Sequence, residues 1–182
     1  MIFEPKEMIL KNEKSCLFRS PYAEDAAELL RYMKETSIQT PYLMREPEEV
    51  TLSISQEKEF IERQNSSERD LLLLAVVEGR HAGNGALNSL GSLKRYAHRC
   101  SISLALYEEF WSMGIGSAML DLLLKKAKEL GYEQAELEVV STNHKAVSLY
   151  LKKGFQFFGR LPRSMKYKDG TYAEEYTMVK FL

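Results

Sequence analysis

The chain has 182 residues, of which 45% are hydrophobic and 28% are charged. This composition is typical of a folded globular domain and argues against wholesale disorder, a collagen-like repeat or a disulfide-knotted miniprotein. The longest strongly apolar run, residues 71–77, is too short to cross a bilayer, and the first residues do not resemble a secretory leader. Two cysteines cannot build a metal cage or a disulfide framework. We therefore expect a single domain over residues 1–182, in a reducing cytoplasmic setting and without a membrane partner.

The net charge of -1 offers no global basic field, so we expect no nucleic-acid partner. The two halves nevertheless differ, because residues 1–91 sum to -5 and residues 92–182 sum to +4. Chance scatter over two solvated surfaces explains this split as well as ligand preference does. The functional alternative is an anionic ligand on the C-terminal half and a cationic one near the N-terminal half.

A hairpin is predicted at the N-terminus, where residues 8–11 and 14–19 flank Asn12 and Glu13. Asparagine tolerates the positive φ that such a turn needs, which assigns this role to Asn12. Residues 1–14 are accordingly an N-terminal extension or an extra strand.

Apolar residues recur at helical spacing over residues 24–36 and 57–64, and the second segment is predicted to face inward with Phe60 and Ile61. Beyond residue 70 the pattern alternates between strands and helices. The predicted strands are 71–78, 82–90, 99–106, 133–140, 155–161 and 172–181, and the predicted helices are 114–130 and 143–153. This order predicts an α/β (α+β) fold: a central mixed, mostly antiparallel sheet of about seven strands with helices on both faces.

A Gly-x-Gly sequence, Gly114 to Gly116, lies between a predicted strand and the clearest amphipathic helix. Glycines leave backbone N–H groups uncovered, and the amides that begin a helix favour an anion such as a diphosphate. The alternative is a glycine-rich turn that only allows the chain to enter the helix. The Rossmann fingerprint is not met, because Leu120 follows where a small residue would be expected, and no Gly-Lys-Ser/Thr loop is present.

A second segment places Asn143, Ala146 and Tyr150 along one predicted helix face. Asn143 and Tyr150 are two turns apart, roughly 10 Å, and the small Ala146 leaves room between them. An amide, a gap and a phenol in this arrangement could hold a long, thin ligand. The alternatives are that Asn143 is only a helix cap and that Tyr150 is only amphipathic packing.

Taken together, the two segments resemble the GNAT family of acetyl-CoA-dependent N-acetyltransferases. The family's cofactor loop reads Arg/Gln-x-x-Gly-x-Gly/Ala, and its later motif reads Asn-x-x-Ala-x-x-Leu-Tyr-x-x-x-Gly-Phe. The matching residues here are Gly114, Gly116, Asn143, Ala146, Leu149, Tyr150, Gly154 and Phe155. The resemblance implies the GNAT fold, acetyl-CoA as co-substrate and no metal. It carries little information about the acceptor.

The resemblance also implies roles for individual residues. Backbone groups of Leu104, Ala105 and Leu106 should pair with the pantetheine arm as an extra strand would. The amides expected to hold the diphosphate are those of Ser112, Met113, Gly114, Ile115, Gly116 and Ser117. Asn143 should bond the arm, and Tyr150 should stand beside the sulfur. Trp111 replaces the family's usual Arg or Gln, so a guanidinium contact with phosphate is lost and we expect Trp111 to pack or stack.

Acetyl transfer to an alkyl amine requires a base, because an amine with a pKa near 10.4 is mostly protonated at neutral pH. Many family members carry a Glu on the strand before the loop, but Ser101 stands there in this chain. Glu138 is the better candidate base, since it alternates away from the apolar residues of its strand; the alternative is a paired carboxylate on a strand face. Tyr150 should hydrogen-bond to the developing thiolate, because full proton transfer from a phenol to a thiolate is uphill by about 2 kcal/mol.

We therefore expect an enzyme that moves an acetyl group from acetyl-CoA to a primary amine by direct attack in a ternary complex. The acidic N-terminal half, with Glu46, Glu48 and Glu49, favours a small cationic amine or a peptide N-terminus as acceptor. The alternative is a non-catalytic acyl-CoA-binding sensor or interaction module on the same fold. A homodimer is slightly favoured by the resemblance. Three tyrosines are candidates for lining the acceptor pocket, although surface packing explains them equally well: Tyr42, Tyr96 and Tyr167. The isolated histidines His81, His98 and His144 are expected in exposed loop or cap roles.

Overall fold

The computed structural model describes residues 1–182 and contains eight strands and four α-helices. The strands are β1 (Lys6–Ile9), β2 (Ser15–Arg19), β3 (Leu71–Val77), β4 (Arg80–Ser89), β5 (Arg99–Leu106), β6 (Gln134–Val140), β7 (Gln156–Lys166) and β8 (Tyr172–Phe181). The helices are α1 (Ala26–Gln39), α2 (Ile54–Ser66), α3 (Ile115–Glu129) and α4 (His144–Lys152), with 3₁₀ turns at Ala23–Asp25, Pro47–Glu49 and Glu108–Phe110. None of the four helices combines the length and apolar content that a membrane span requires.

The strands form one mixed sheet in the order β1-β2-β3-β4-β5-β6-β8-β7. Strands β5 and β6 pair in parallel, whereas the pairs β1–β2, β2–β3, β3–β4, β6–β8 and β7–β8 are antiparallel. This confirms the predicted α/β fold with a mostly antiparallel sheet. The sheet has eight strands rather than about seven, because residues 6–9 pair with β2 as an additional edge strand.

The chain divides into two compact units. One contains Met1–Asn88 and Ser103–Leu123, and the other contains Ser89–Ile102 and Leu124–Leu182. Both β5 and α3 therefore run from one unit into the other.

The first unit is held together by apolar packing on β3. Leu74 of β3 packs with Ala26 and Leu29 of α1 and with Ile61 of α2, and all four are buried. On β4, the neighbouring residues Asn84 and Gly85 show that helices cover both faces. Asn84 hydrogen-bonds His81, whose ring contacts Tyr32 of α1, whereas a side chain at Gly85 would meet Met119 and Leu123 of α3. Successive strand residues point to opposite faces, so α1 and α3 lie on opposite sides of this strand.

Three local predictions in the first unit need correction. The positive φ of the β1–β2 turn belongs to Glu13 (65°) rather than Asn12, because the Glu13 amide closes the turn on the Leu10 carbonyl. Phe60 is only half-buried; the position on α2 that is buried together with Ile61 is Glu57, one turn earlier. His81 lies inside the structure and not in an exposed loop: its ring nitrogens contact Glu28 at 3.3 Å and Asn84 at 2.6 Å.

The second unit is built around β6. Its Ala135, Leu137 and Val139 are buried on one face, and Glu136 and Glu138 lie on the other. The β5–β6 pairing covers Arg99 to Ser101 and stops there. Strand β8 pairs with both β6 and β7, and β7 extends to Lys166, beyond its predicted end at residue 161.

Candidate active site

The loop before α3 has the backbone conformation of a tight turn that opens onto a helix. Ser112 has a φ of 64° and Gly114 a φ of 89°, and α3 begins at the next residue, Ile115. The Gly114 carbonyl already accepts from the Ala118 amide, so the helical ladder starts here. The amides of residues 115–117 belong to the first turn and have no acceptor within the helix.

The electrostatics of α3 favour an anion at this end. Its first turn contains no acidic residue, and its last turn contains Lys126 and Lys128. The helix dipole places positive potential at the N-terminus, and no carboxylate in the first turn competes with an incoming anion. The loop can therefore bind a phosphate or diphosphate through backbone N–H groups.

Strand β5 has an edge without a strand partner over its last residues. Its pairing with β6 ends at Ser101, whereas β5 itself continues to Leu106. The Tyr107 amide donates to the Ala82 carbonyl of β4 at 3.0 Å. Backbone groups alternate between the two edges of a strand, so those of Leu104 and Leu106 point away from β4.

Two side chains engage the carbonyls at the end of β5. The Tyr32 hydroxyl donates to the Ala105 carbonyl at 2.7 Å, on the side of β4, and burial raises the pKa of this phenol. The Trp111 indole N–H donates to the Leu106 carbonyl at 2.9 Å. Trp111 thus bonds the strand instead of offering a guanidinium to phosphate, and its N–H joins the glycine loop to the end of β5. Of the three strand residues predicted to pair with pantetheine, Leu104 and Leu106 have backbone groups aimed at the open edge.

In the second unit, β6 and α4 carry the other predicted site residues. Asn143 is the N-cap of α4, and its side-chain oxygen accepts from the Ala146 amide at 3.2 Å. Its side-chain NH₂ group is not needed for this cap and remains a donor. Tyr150 lies two turns further along α4, buried against Phe155 with the rings edge-to-face at 5.8 Å. Burial raises the pKa of Tyr150 to about 12, so its phenol is protonated at any physiological pH.

Glu138 lies on the exposed face of β6, directly opposite Thr177 of β8. Its carboxylate forms no salt bridge in the structure. The next carboxylate on the same face, Glu136, differs in this respect. It receives two hydrogen bonds from Arg99 and one from Gln134, and Arg99 lowers its pKa. Of these two acidic side chains of β6, Glu138 is therefore the one without an arginine partner.

The same face borders a cavity of about 450 Å³ that the sequence alone does not predict. It is lined by Arg95, Tyr96, His98, Arg99, Gln134, Glu136, Phe158, Thr177 and Val179. Tyr96 is one of the three tyrosines that the sequence offers as pocket candidates, whereas no sequence motif contains Arg95 or Phe158. The Phe157–Phe158 doublet interrupts strict alternation, and this is the signal that could have indicated a bulge here.

The predicted residues thus fall into two groups. The first unit brings together Leu104, Leu106 and the glycine loop through the short 3₁₀ turn at Glu108–Phe110. The second unit holds Glu138, Asn143 and Tyr150 on β6 and the helix that follows it.

Comparison with known proteins decides the family. Residues 30–155, well over half of the chain, match the family model described as Acetyltransferase (GNAT) family. The chain belongs to the GNAT acetyltransferase family. The crystal structure of a GNAT acetyltransferase from Streptococcus pneumoniae is similar, with 27% identity, a TM-score of 0.86 and coverage of 92% of this chain and 99% of that one.

Two further relatives match this GNAT protein in part or at lower identity. An N-alpha-acetyltransferase from Sulfurisphaera tokodaii is 36% identical over 75 residues, which cover 41% of this chain and 44% of that protein. The match thus spans less than half the length of this relative. A GNAT superfamily phosphinothricin acetyltransferase from Sinorhizobium meliloti, solved with acetyl-CoA, shares the fold at 18% identity and a TM-score of 0.80, with coverage of 96% and 89% of the two chains.

Proposed function

We propose that this GNAT protein transfers the acetyl group of acetyl-CoA to a primary amine, either a small cationic amine or a peptide N-terminus. The observation that carries the proposal is the turn at Gly114, which opens the first-turn amides of α3 to an anion inside the segment that matches the family. Acetyl-CoA supplies an acetyl group activated as a thioester. The partly matching relative from Sulfurisphaera tokodaii bears the name N-alpha-acetyltransferase, which is compatible with an amine acceptor.

The chain's backbone would hold the co-substrate. We assign the diphosphate to the amides from Ser112 to Ser117, and the pantetheine arm to the open edge of β5 at Leu104 and Leu106. Support for the second assignment comes from the end of the β5–β6 pairing at Ser101, which leaves these groups without a strand partner. The NH₂ group of Asn143 is assigned to the arm, since the cap of α4 occupies only its oxygen.

Glu138 is assigned as the base that removes the amine proton. An alkylammonium ion cannot attack a carbonyl carbon until its lone pair is free, and a carboxylate already held by an arginine is a poor acceptor for that proton. Glu138 carries no such partner, in contrast to Glu136. After removal of the first proton, the amine nitrogen bonds to the acetyl carbon, the bond from that carbon to sulfur breaks, and the second proton that the nitrogen loses passes to solvent.

Tyr150 is assigned to the departing sulfur as a hydrogen-bond donor. With a pKa of about 12, its phenol lies some 3.5 units above a thiol near 8.5, so complete proton transfer to thiolate would be uphill by about 5 kcal/mol. Donation of a hydrogen bond avoids this cost and still stabilises the developing negative charge. The thiolate can leave as such, because at neutral pH it takes its proton from solvent.

A thiol-release assay tests the proposal. Purified protein with acetyl-CoA is screened against peptide N-termini, polyamines, aminoglycosides and amino-acid analogues. We expect CoA release with at least one amine, and loss of most of that turnover in Glu138→Gln with the affinity for acetyl-CoA retained. Tight binding of acetyl-CoA without turnover on any amine would instead support the non-catalytic sensor, for which the replacement of the family's strand Glu by Ser101 is the motivating feature.

A further inference from the structure

On the exposed sheet face of the second unit, one row of three neighbouring residues contains no bulky apolar side chain. We call this row, Glu138, Thr177 and Gly159, the floor of the cavity. Glu138 of β6 lies opposite Thr177 of β8, and Thr177 lies opposite Gly159 of β7. A side chain added at Gly159 would point toward Thr177, with its Cβ 3.8 Å from the threonine Cβ, so all three positions share one face. The row runs from a free carboxylate to a glycine and leaves open space beside Thr177.

A β-bulge aims an aromatic ring at this floor. The β7–β8 register shifts between Phe157 and Gly159, so Phe158 is the extra residue without a cross-strand partner. Phe157 packs edge-to-face on Tyr176, whereas Phe158 lines the cavity and is 79% exposed. An exposed phenylalanine ring offers apolar surface to a ligand, and bulges are often found where a side chain is re-aimed beside a site.

The side chains that line the cavity carry a net positive charge. Its single carboxylate, Glu136, is neutralised by the two-fold hydrogen bond from Arg99, so this pair adds no net charge. Arg95 forms no salt bridge, and His98 adds a further nitrogen-bearing ring. Backbone hydrogen bonds hold the loop that carries Arg95. The Tyr96 amide donates to the Leu93 carbonyl at 2.9 Å, and the Glu133 amide donates to the His98 carbonyl. An uncompensated arginine beside exposed aromatic rings favours a ligand with a carboxylate on an apolar body.

We infer that this cavity is the specificity pocket for the acceptor, and that it selects a peptide N-terminus with an acidic side chain at the second or third residue. The inference rests on the proposed function, because it takes Glu138 as the place where the acceptor amine loses its proton. Thr177 lies directly opposite Glu138 and also lines the cavity. Positions two apart on a strand are roughly 7 Å apart, a distance that one or two peptide residues span. The positive charge of the cavity lining therefore selects an acidic side chain at the second or third residue of the acceptor peptide, although the N-terminal half of this protein is acidic.

The test compares two peptides that differ only at residues two and three, Ala-Glu-Glu and Ala-Lys-Lys followed by the same neutral tail. We expect kcat/KM for the acidic peptide to exceed that for the basic one at least tenfold. Arg95→Glu should abolish or reverse this preference, while Lys94→Glu, the same charge change at the neighbouring exposed residue outside the cavity lining, should keep it. Gly159→Leu, which fills the floor, should raise KM for the peptide without changing the Kd of acetyl-CoA.

The outcomes separate this inference from the function on which it rests. If neither peptide nor any other amine is acetylated, the proposed function fails and the inference falls with it. If amines are acetylated but the two peptides react equally, or the basic one faster, or Arg95→Glu behaves as Lys94→Glu does, the inference is wrong and acetyl transfer stands. Arg95→Ala serves as the second variant if the charge reversal does not fold, with the preference expected to disappear.

Discussion

Replacement of Tyr150 by Phe tests the chemistry assigned to α4. The substitution removes one oxygen and keeps the ring that packs edge-to-face on Phe155. No hydrogen bond within the protein uses the Tyr150 hydroxyl, and burial alone accounts for its raised pKa. The folded protein should therefore lose no internal bond, and its free energy of unfolding should stay the same or rise slightly.

The effect on turnover should be large by comparison. A hydrogen bond to a charged group contributes about 1.5–3 kcal/mol, and its loss from the transition state lowers kcat by about 10- to 150-fold. The Kd of acetyl-CoA should change less than threefold, because the sulfur carries little charge before the carbon–sulfur bond breaks. Steady-state kinetics and calorimetric titration with acetyl-CoA measure the two quantities. Tyr132→Phe, the same change at another buried tyrosine of this unit, is the control and should leave kcat unaltered.

The pH dependence adds an independent check. Since the pKa of Tyr150 is about 12, the phenol stays protonated from pH 6 to pH 10, and the profiles of kcat for the protein and for Tyr150→Phe should be parallel over this range. Unchanged kcat in Tyr150→Phe would remove the residue from the mechanism. A drop in kcat near pH 8 that is present in the protein and absent from the variant would show that the phenol ionises there and that burial does not keep it protonated.

Three further predictions follow from backbone and ion-pair geometry. Gly114 and Gly131 lie at the two ends of α3 and have φ values of 89° and 78°. Replacement of either by Ala should lower the free energy of unfolding by about 1–2 kcal/mol. Only Gly114→Ala should also weaken acetyl-CoA binding in calorimetric titrations. Gly83→Ala should lower the free energy of unfolding in urea by about 3 kcal/mol, because its Cβ would lie 2.4 Å from the backbone oxygen of Ala105. Gly85→Ala should lower it by less than half as much, because its Cβ would meet the flexible Met119 side chain. Equal losses in the two variants would contradict this difference. Arg99 lowers the pKa of Glu136 in the folded state, so the pair stabilises the protein above the ordinary carboxyl pKa, and that contribution is lost as the pH falls through the lowered value. The free energy of unfolding of Glu136→Gln should therefore fall less between pH 7 and pH 3 than that of the unmodified protein, and an equal fall would contradict the ion-pair argument.

The sequence predicted the elements that depend on local periodicity. Strands β5 and β8 have the predicted bounds, and α3 starts and ends within one residue of its prediction. The motif at Gly114 and the one from Asn143 to Phe155 each specify a loop and the helix that follows it, so short-range pattern was enough to recognise the family.

Features that depend on pairing across the sheet could not be predicted. The role of Trp111 is one case, because a donor for the Leu106 carbonyl can be recognised only once both ends of the 3₁₀ turn are placed. The burial of His81 is another, since its partner Glu28 is distant in sequence. The bulge at Phe158 arises from the register of β7 against β8, and the cavity beside Thr177 combines residues from a loop and four strands.

The proposed function requires the amides at the start of α3 to hold the diphosphate of acetyl-CoA. A crystal structure of the acetyl-CoA complex at about 2 Å would show where the diphosphate lies. We predict diphosphate oxygens within about 3 Å of the backbone nitrogens between Gly114 and Ser117. A diphosphate bound elsewhere on the protein, with these nitrogens facing only solvent, would contradict the account.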